Sequence, residues 1–137
     1  MYLNNLQSYT FATLMLLFVA FVACDRENPL AKDRTYEGTF YTKNLPQNYT
    51  STSFTLKLDK GRFEFEPLDN SPMKHSSGTF ILKDNQVTFH DENMWTADFD
   101  WNLIFSGDFD LSSNKQEITL TKNGENNYKY IYVLKRQ

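Results

Sequence analysis

Cysteine is almost absent from this chain: Cys24 is the only one among 137 residues. It has no disulfide partner in the sequence, so any fold must rest on a packed core alone. Charge is missing from the first 23 residues, which hold no Asp, Glu, Lys, Arg or His. Apolar runs are short as well. Phe11 to Ala23 (FATLMLLFVAFVA) extends over 13 residues. That is short of the roughly 20 that cross a bilayer as a helix, and it matches the core of a signal peptide. Alanine is scarce after residue 31, and no later stretch has a helical period. The 14 Lys and Arg against 17 Asp and Glu leave a net charge of −3. They form no basic stripe, which argues against nucleic acid as a partner.

Aromatic residues, by contrast, are plentiful: 12 Phe, 8 Tyr and 2 Trp. With Thr, they favour pleated, half-buried surfaces. Residues 25–33 (DRENPLAKD) read as a solvated, flexible linker. Beyond it, period-2 alternation recurs. Strands are expected at Thr35–Thr42, Ser53–Asp59, Phe63–Pro67, Ser77–Lys83, Gln86–His90, Asn102–Leu111, Glu117–Lys122 and Tyr128–Lys135. Gly38-Thr39-Phe40, Gly78-Thr79-Phe80 and Gly107-Asp108-Phe109 form a weak internal repeat. Strand glycines of this kind mark bends or close backbone approaches, which a small barrel needs. Eight antiparallel strands in so short a domain fit an all-β up-and-down barrel, because closure removes exposed edges. The expected inward set is Phe40, Phe54, Leu56, Phe63, Phe65, Phe80, Phe89, Leu103, Phe105, Phe109 and Leu120. An eight-stranded barrel is either filled by side chains or holds one small ligand. So bulky a set favours filling.

Phe21-Val22-Ala23-Cys24 resembles the lipobox of bacterial lipoproteins, whose cysteine is acylated and becomes the mature N-terminus. The resemblance implies a signal peptide over 1–23, a lipidated Cys24 and short linker over 24–34, and a barrel domain over 35–137. Membrane lipid would then be a partner: each buried acyl CH₂ contributes roughly 0.8 kcal/mol, and two chains anchor stably. The lipobox, the linker, the strand–Asn turns, the Trp95–Leu103 stretch (WTADFDWNL) and the final Tyr130-Ile131-Tyr132-Val133-Leu134 strand are together similar to the small lipocalin-like lipoproteins of Bacteroidetes. Gly38-Thr39-Phe40 stands where lipocalins carry Gly-x-Trp. This likeness implies a lipid-anchored place in the cell envelope, on the periplasmic or surface face of the outer membrane, and no activity.

Chemistry concentrates in His90–Trp101 (HDENMWTADFDW). One reading is a ligand mouth, in which Trp95, Phe99, Trp101 and Tyr132 line the barrel opening around a sugar or small apolar ligand and Asp98 supplies a polar contact. Its carboxylates also suit a hard cation, but no Asp-x-Asp-x-Asp-Gly loop is present and no metal site is expected. The preferred reading is a long loop whose aromatics plug the barrel end while its acids face water. Catalysis has little to stand on. His75 lies in a polar Lys-His-Ser-Ser turn, His90 ends a strand, and neither comes with a Gly-flanked serine. Asp98 and Asp100 are the conceivable glycosidase-like pair. The expectation is a non-enzymatic envelope module without a cofactor, binding a ligand or serving as an accessory. The alternative is a structural or interaction protein with a filled barrel, acting through its outer surface in an envelope complex.

Overall fold

The computed structural model describes residues 28–30, 33–68, 70–96 and 100–135. Eight strands follow one another around a closed, antiparallel, up-and-down barrel. They are β1 (Arg34–Lys43), β2 (Thr52–Asp59), β3 (Arg62–Pro67), β4 (Ser76–Lys83), β5 (Gln86–Asp91), β6 (Gly107–Ser113), β7 (Glu117–Asn123) and β8 (Lys129–Lys135). β1 closes the ring against β8, with Phe40 opposite Tyr132 and Thr42 opposite Tyr130. The all-β barrel read from alternation is the fold observed.

Period 2 explains the register. Tyr36, Gly38, Phe40 and Thr42 point inward from β1, as do Phe54, Leu56 and Leu58 from β2 and Phe63 and Phe65 from β3. Slipping any strand by one residue would put these groups in water. The outer face is polar, with Lys57 of β2 registered opposite Glu64 of β3. At Gly78 two backbones come so close that a Cβ would lie 2.0 Å from the His90 carbonyl oxygen. Any side chain there would force β4 and β5 apart.

The interior is filled. Phe65 and Phe105 stack with centroids 4.5 Å apart and planes inclined by 8°. Phe89 lies 4.6 Å from Phe105. Tyr132 sits among Phe40 at 4.8 Å, Phe105 at 5.0 Å and Phe109 at 5.6 Å. Such ring pairs contribute about 0.5–1.5 kcal/mol each beyond the area they bury. All of the expected inward residues are buried except Phe80, which is half-buried against the same cluster.

Two segments depart from the sequence expectation. The strand expected at Asn102–Leu111 begins only at Gly107; Trp101–Leu103 is instead a 3₁₀ turn. Asp100 caps that turn, its carboxylate accepting from the Asn102 amide. Leu103, Ile104 and Phe105 are buried in succession, which a period-2 strand facing water on one side does not do. They enter the barrel mouth as a cluster, and Gly107, at φ 100°, turns the chain into β6.

The second departure lies at the opposite end. Short turns join β2 to β3, β4 to β5 and β6 to β7 there, while the 44–51, 68–75, 92–106 and 124–128 loops share the other end. Residues 28–30, read as part of a solvated linker, dock on the short-turn end. Leu30 has 0 % exposure, the Tyr36 hydroxyl donates to the Pro29 carbonyl at 2.9 Å, and Asn28 Nδ2 donates to the Asp84 carbonyl at 3.3 Å. The expected signal peptide and Cys24 lie outside the described residues. Among the described residues no helix is long and apolar enough to cross a membrane.

Candidate functional site

Among the described residues two clefts open at the long-loop end, and neighbouring residues around the Trp101–Leu103 turn face different ones. The first has a volume of about 390 Å³, with Asp91, Asn93, Trp95, Trp101, Ile104, Ser106, Gly107 and Lys122 around it. Asp91, the last residue of β5, organises it. Its Oδ1 accepts from the Ser77 amide at 3.1 Å and from Asn93 Nδ2 at 2.8 Å. Its Oδ2 accepts from Trp95 Nε1, which fixes that indole half-buried. Ser106 Oγ accepts from the Asp91 amide at 3.3 Å and donates to the Phe89 carbonyl at 3.2 Å, tying the loop back to the sheet. Trp101 is 56 % exposed, an unusual position for so large an apolar ring. Burial lowers the pKa of the Lys122 ammonium, while the nearby Asp100 charge opposes that shift.

The second cleft, of about 530 Å³, lies between the 44–51 and 124–128 loops, with Tyr49, Tyr128, Tyr130, Asp100, Asn102 and Glu125 among its lining. Tyr130 is 3 % exposed and forms the floor, and Tyr49 and Tyr128 are half-buried. Burial first, then the Asp100 charge and the Tyr49 and Tyr128 groups, lift the Tyr130 hydroxyl above the ordinary tyrosine range. Asn44 Nδ2 donates to the Asn127 carbonyl at 3.1 Å across the two loops. The Tyr49 amide donates to Thr42 Oγ1 at 2.8 Å.

Of the residues read from sequence as a ligand mouth, Trp95 and Trp101 do come together in one cleft. Asp98 and Phe99 lie outside the described residues. Tyr132 is placed differently from its expected position at the opening: it is wholly buried in the ring cluster. Its hydroxyl has no hydrogen-bond partner, and burial drives its pKa far up. The reason is register. Tyr132 is opposite Phe40 at mid-barrel, whereas Tyr130, one inward position earlier, reaches the rim.

Other ionisable side chains pair outside the two clefts. Arg62 pairs with Glu92 at 2.8 Å. His75 Nε2 lies 3.6 Å from a Glu66 oxygen and 3.8 Å from a Glu64 oxygen. Among the described residues no three side chains of metal-ligating type converge. Sequence reading missed the tyrosine cleft, since its members come from three separate loops and one strand. The available signal was the presence of Tyr49, Tyr128 and Tyr130 at or beside strand ends.

Comparison with protein-family models, with known proteins and with solved structures finds no match to this chain.

Proposed function

We propose that this protein is a lipid-anchored module of a bacterial cell envelope, acting without covalent chemistry through its exterior and its long-loop end. The observation that carries the reading is the ring-packed interior, with Phe65 on Phe105 at 4.5 Å and Tyr132 against Phe40 at 4.8 Å in the middle of the barrel. A barrel of this size either holds a ligand inside or works from its surface. The anchoring part rests on the uncharged Phe11–Ala23 run ending at Cys24 and on the likeness to a lipobox. Mass spectrometry of the protein from its native host tests it. The expected mature chain begins at an acylated Cys24. A chain without fatty acid, or beginning elsewhere, refutes the anchor.

A second reading concerns the tryptophan cleft. Trp101, at 56 % exposure, and Trp95, held by Asp91, line one cleft, and indoles at a cleft can contact a sugar ring or an apolar group. The expected result is quenching or enhancement of tryptophan fluorescence that saturates with a sugar or lipid and disappears in Trp101→Ala. A flat titration across both classes removes this reading and leaves the interaction role.

A further inference from the structure

We propose that the cleft between the 44–51 and 124–128 loops binds an organic cation, an ammonium group seated among Tyr49, Tyr128 and Tyr130 and held by Asp100 and Glu125. The inference is independent of how the chain is anchored.

Three features of the cleft lead there. Its charge has one sign: two carboxylates line it, and none of its described lining residues is basic. Lys122, which interacts with Asp100, opens onto the tryptophan cleft instead. The walls are aromatic, and ring faces carry a negative quadrupole that attracts a desolvated cation within about 6 Å of the centroid. Tyr130 reports this environment, since Asp100, Tyr49 and Tyr128 all act on its hydroxyl in the same direction. A neutral saccharide would satisfy the rings but bring no charge to either carboxylate.

The cleft is also built before any ligand arrives. The Asn44–Asn127 hydrogen bond of 3.1 Å ties one wall to the other, and the two asparagines hold left-handed backbone at φ 64° and 62°. Asp100 is fixed by Asn102, whose amide and Nδ2 donate to Oδ1 at 2.9 Å and 3.0 Å. Little ordering is then left for binding to impose, which favours affinity for a small ligand. A volume of about 530 Å³ accepts a substituted ammonium or the end of a lysine side chain.

The test is calorimetric titration of the full chain in non-ionic detergent with choline and with its neutral isostere, 3,3-dimethylbutan-1-ol. The expected result is binding of choline at least about tenfold tighter than the alcohol, which is about 1.4 kcal/mol, and weakening as salt is raised. Asp100→Asn retains a capping side chain and removes the charge; it should lower choline affinity about tenfold. Tyr128→Ala should lower it further, and Ile81→Ser, on the barrel wall at 70 % exposure, should leave it unchanged. Acetyl-Lys-Lys-Lys-amide, titrated in parallel, distinguishes a basic peptide from a small amine as the source of the cation; saturable binding of either, tighter than that of the neutral alcohol, upholds the site. Equal affinity for choline and the alcohol, an unaltered Asp100→Asn, tighter binding of methyl glucoside than of either cation, or no cation binding at all overturns it.

Discussion

Two buried tyrosines should respond in opposite directions to the loss of the same oxygen atom. Tyr132 is fully buried in the ring cluster, and its hydroxyl has no hydrogen-bond partner. A buried hydroxyl without a partner costs about 1–3 kcal/mol by mutational measure. Tyr132→Phe removes that penalty and keeps the ring with its neighbours, so it should stabilise the barrel by about 1–2 kcal/mol. For a domain near a hundred residues, each 1 kcal/mol moves the melting temperature by about 4–8 °C. Tyr36 is equally buried, but its hydroxyl donates to the Pro29 carbonyl at 2.9 Å. Tyr36→Phe should therefore destabilise by about 0.5–1.5 kcal/mol and weaken the docking of residues 28–30. Tyr132→Ala, which deletes the ring, should lose about 3–5 kcal/mol. Urea unfolding of the four proteins, followed by tryptophan fluorescence, reads all three differences. A Tyr132→Phe variant less stable than the parent by 1 kcal/mol or more would refute the reasoning, because it would mean that the hydroxyl is satisfied.

Three further outcomes are expected. Ser76 is wholly buried, accepts from the Phe105 amide at 3.3 Å and donates to the Lys74 carbonyl at 3.2 Å; Ser76→Ala strands that amide and should lower stability by about 1–3 kcal/mol in urea unfolding. Leu30→Ala should cost about 2–5 kcal/mol and expose the residue 28–30 segment to proteolysis while leaving the far-ultraviolet β signal intact. Burial lowers the Lys122 pKa below its ordinary 10.5, so the unfolded chain binds more protons between the two values. Stability relative to Lys122→Met should accordingly rise as pH climbs through the folded pKa toward 10.5, measured as the difference in urea midpoints across that range.

Most of the barrel could be read from the sequence, because each strand buries one face and the period of 2 is written in the side chains: Phe54, Leu56 and Leu58 alternate with Thr55 and Lys57 just as they alternate in exposure. The strand expected at Asn102–Leu111 departs from the observed one for a related reason. Leu103 and Phe105 mimic alternation, while Ile104 between them is buried too, and its burial depends on a turn that Asp100 caps rather than on any local period. Leu30 was hidden in the same way. A single leucine among polar residues carries no periodicity, and its burial accompanies the docking of its neighbours, Asn28 on Asp84 and Pro29 on Tyr36. The two tryptophans were found because they are rare and sit in a segment without strand pattern. The tyrosine cleft is not legible in this way, since loop closure assembles it from Tyr49 and Tyr128 on separate loops and Tyr130 on β8.

The docking of residues 28–30 has a mechanical consequence for a chain moored at Cys24 as proposed above. Only four peptide links separate Cys24 from Asn28, a span of at most about 14 Å when fully stretched. The short-turn end of the barrel would have to ride close to the headgroups, with both clefts held aloft on the far side by strands whose height is roughly 20 Å after tilt. Releasing Leu30 would free another six residues and let the whole body rise by about 20 Å more. In a chain so moored, one leucine side chain would act as the latch on a retractable stalk.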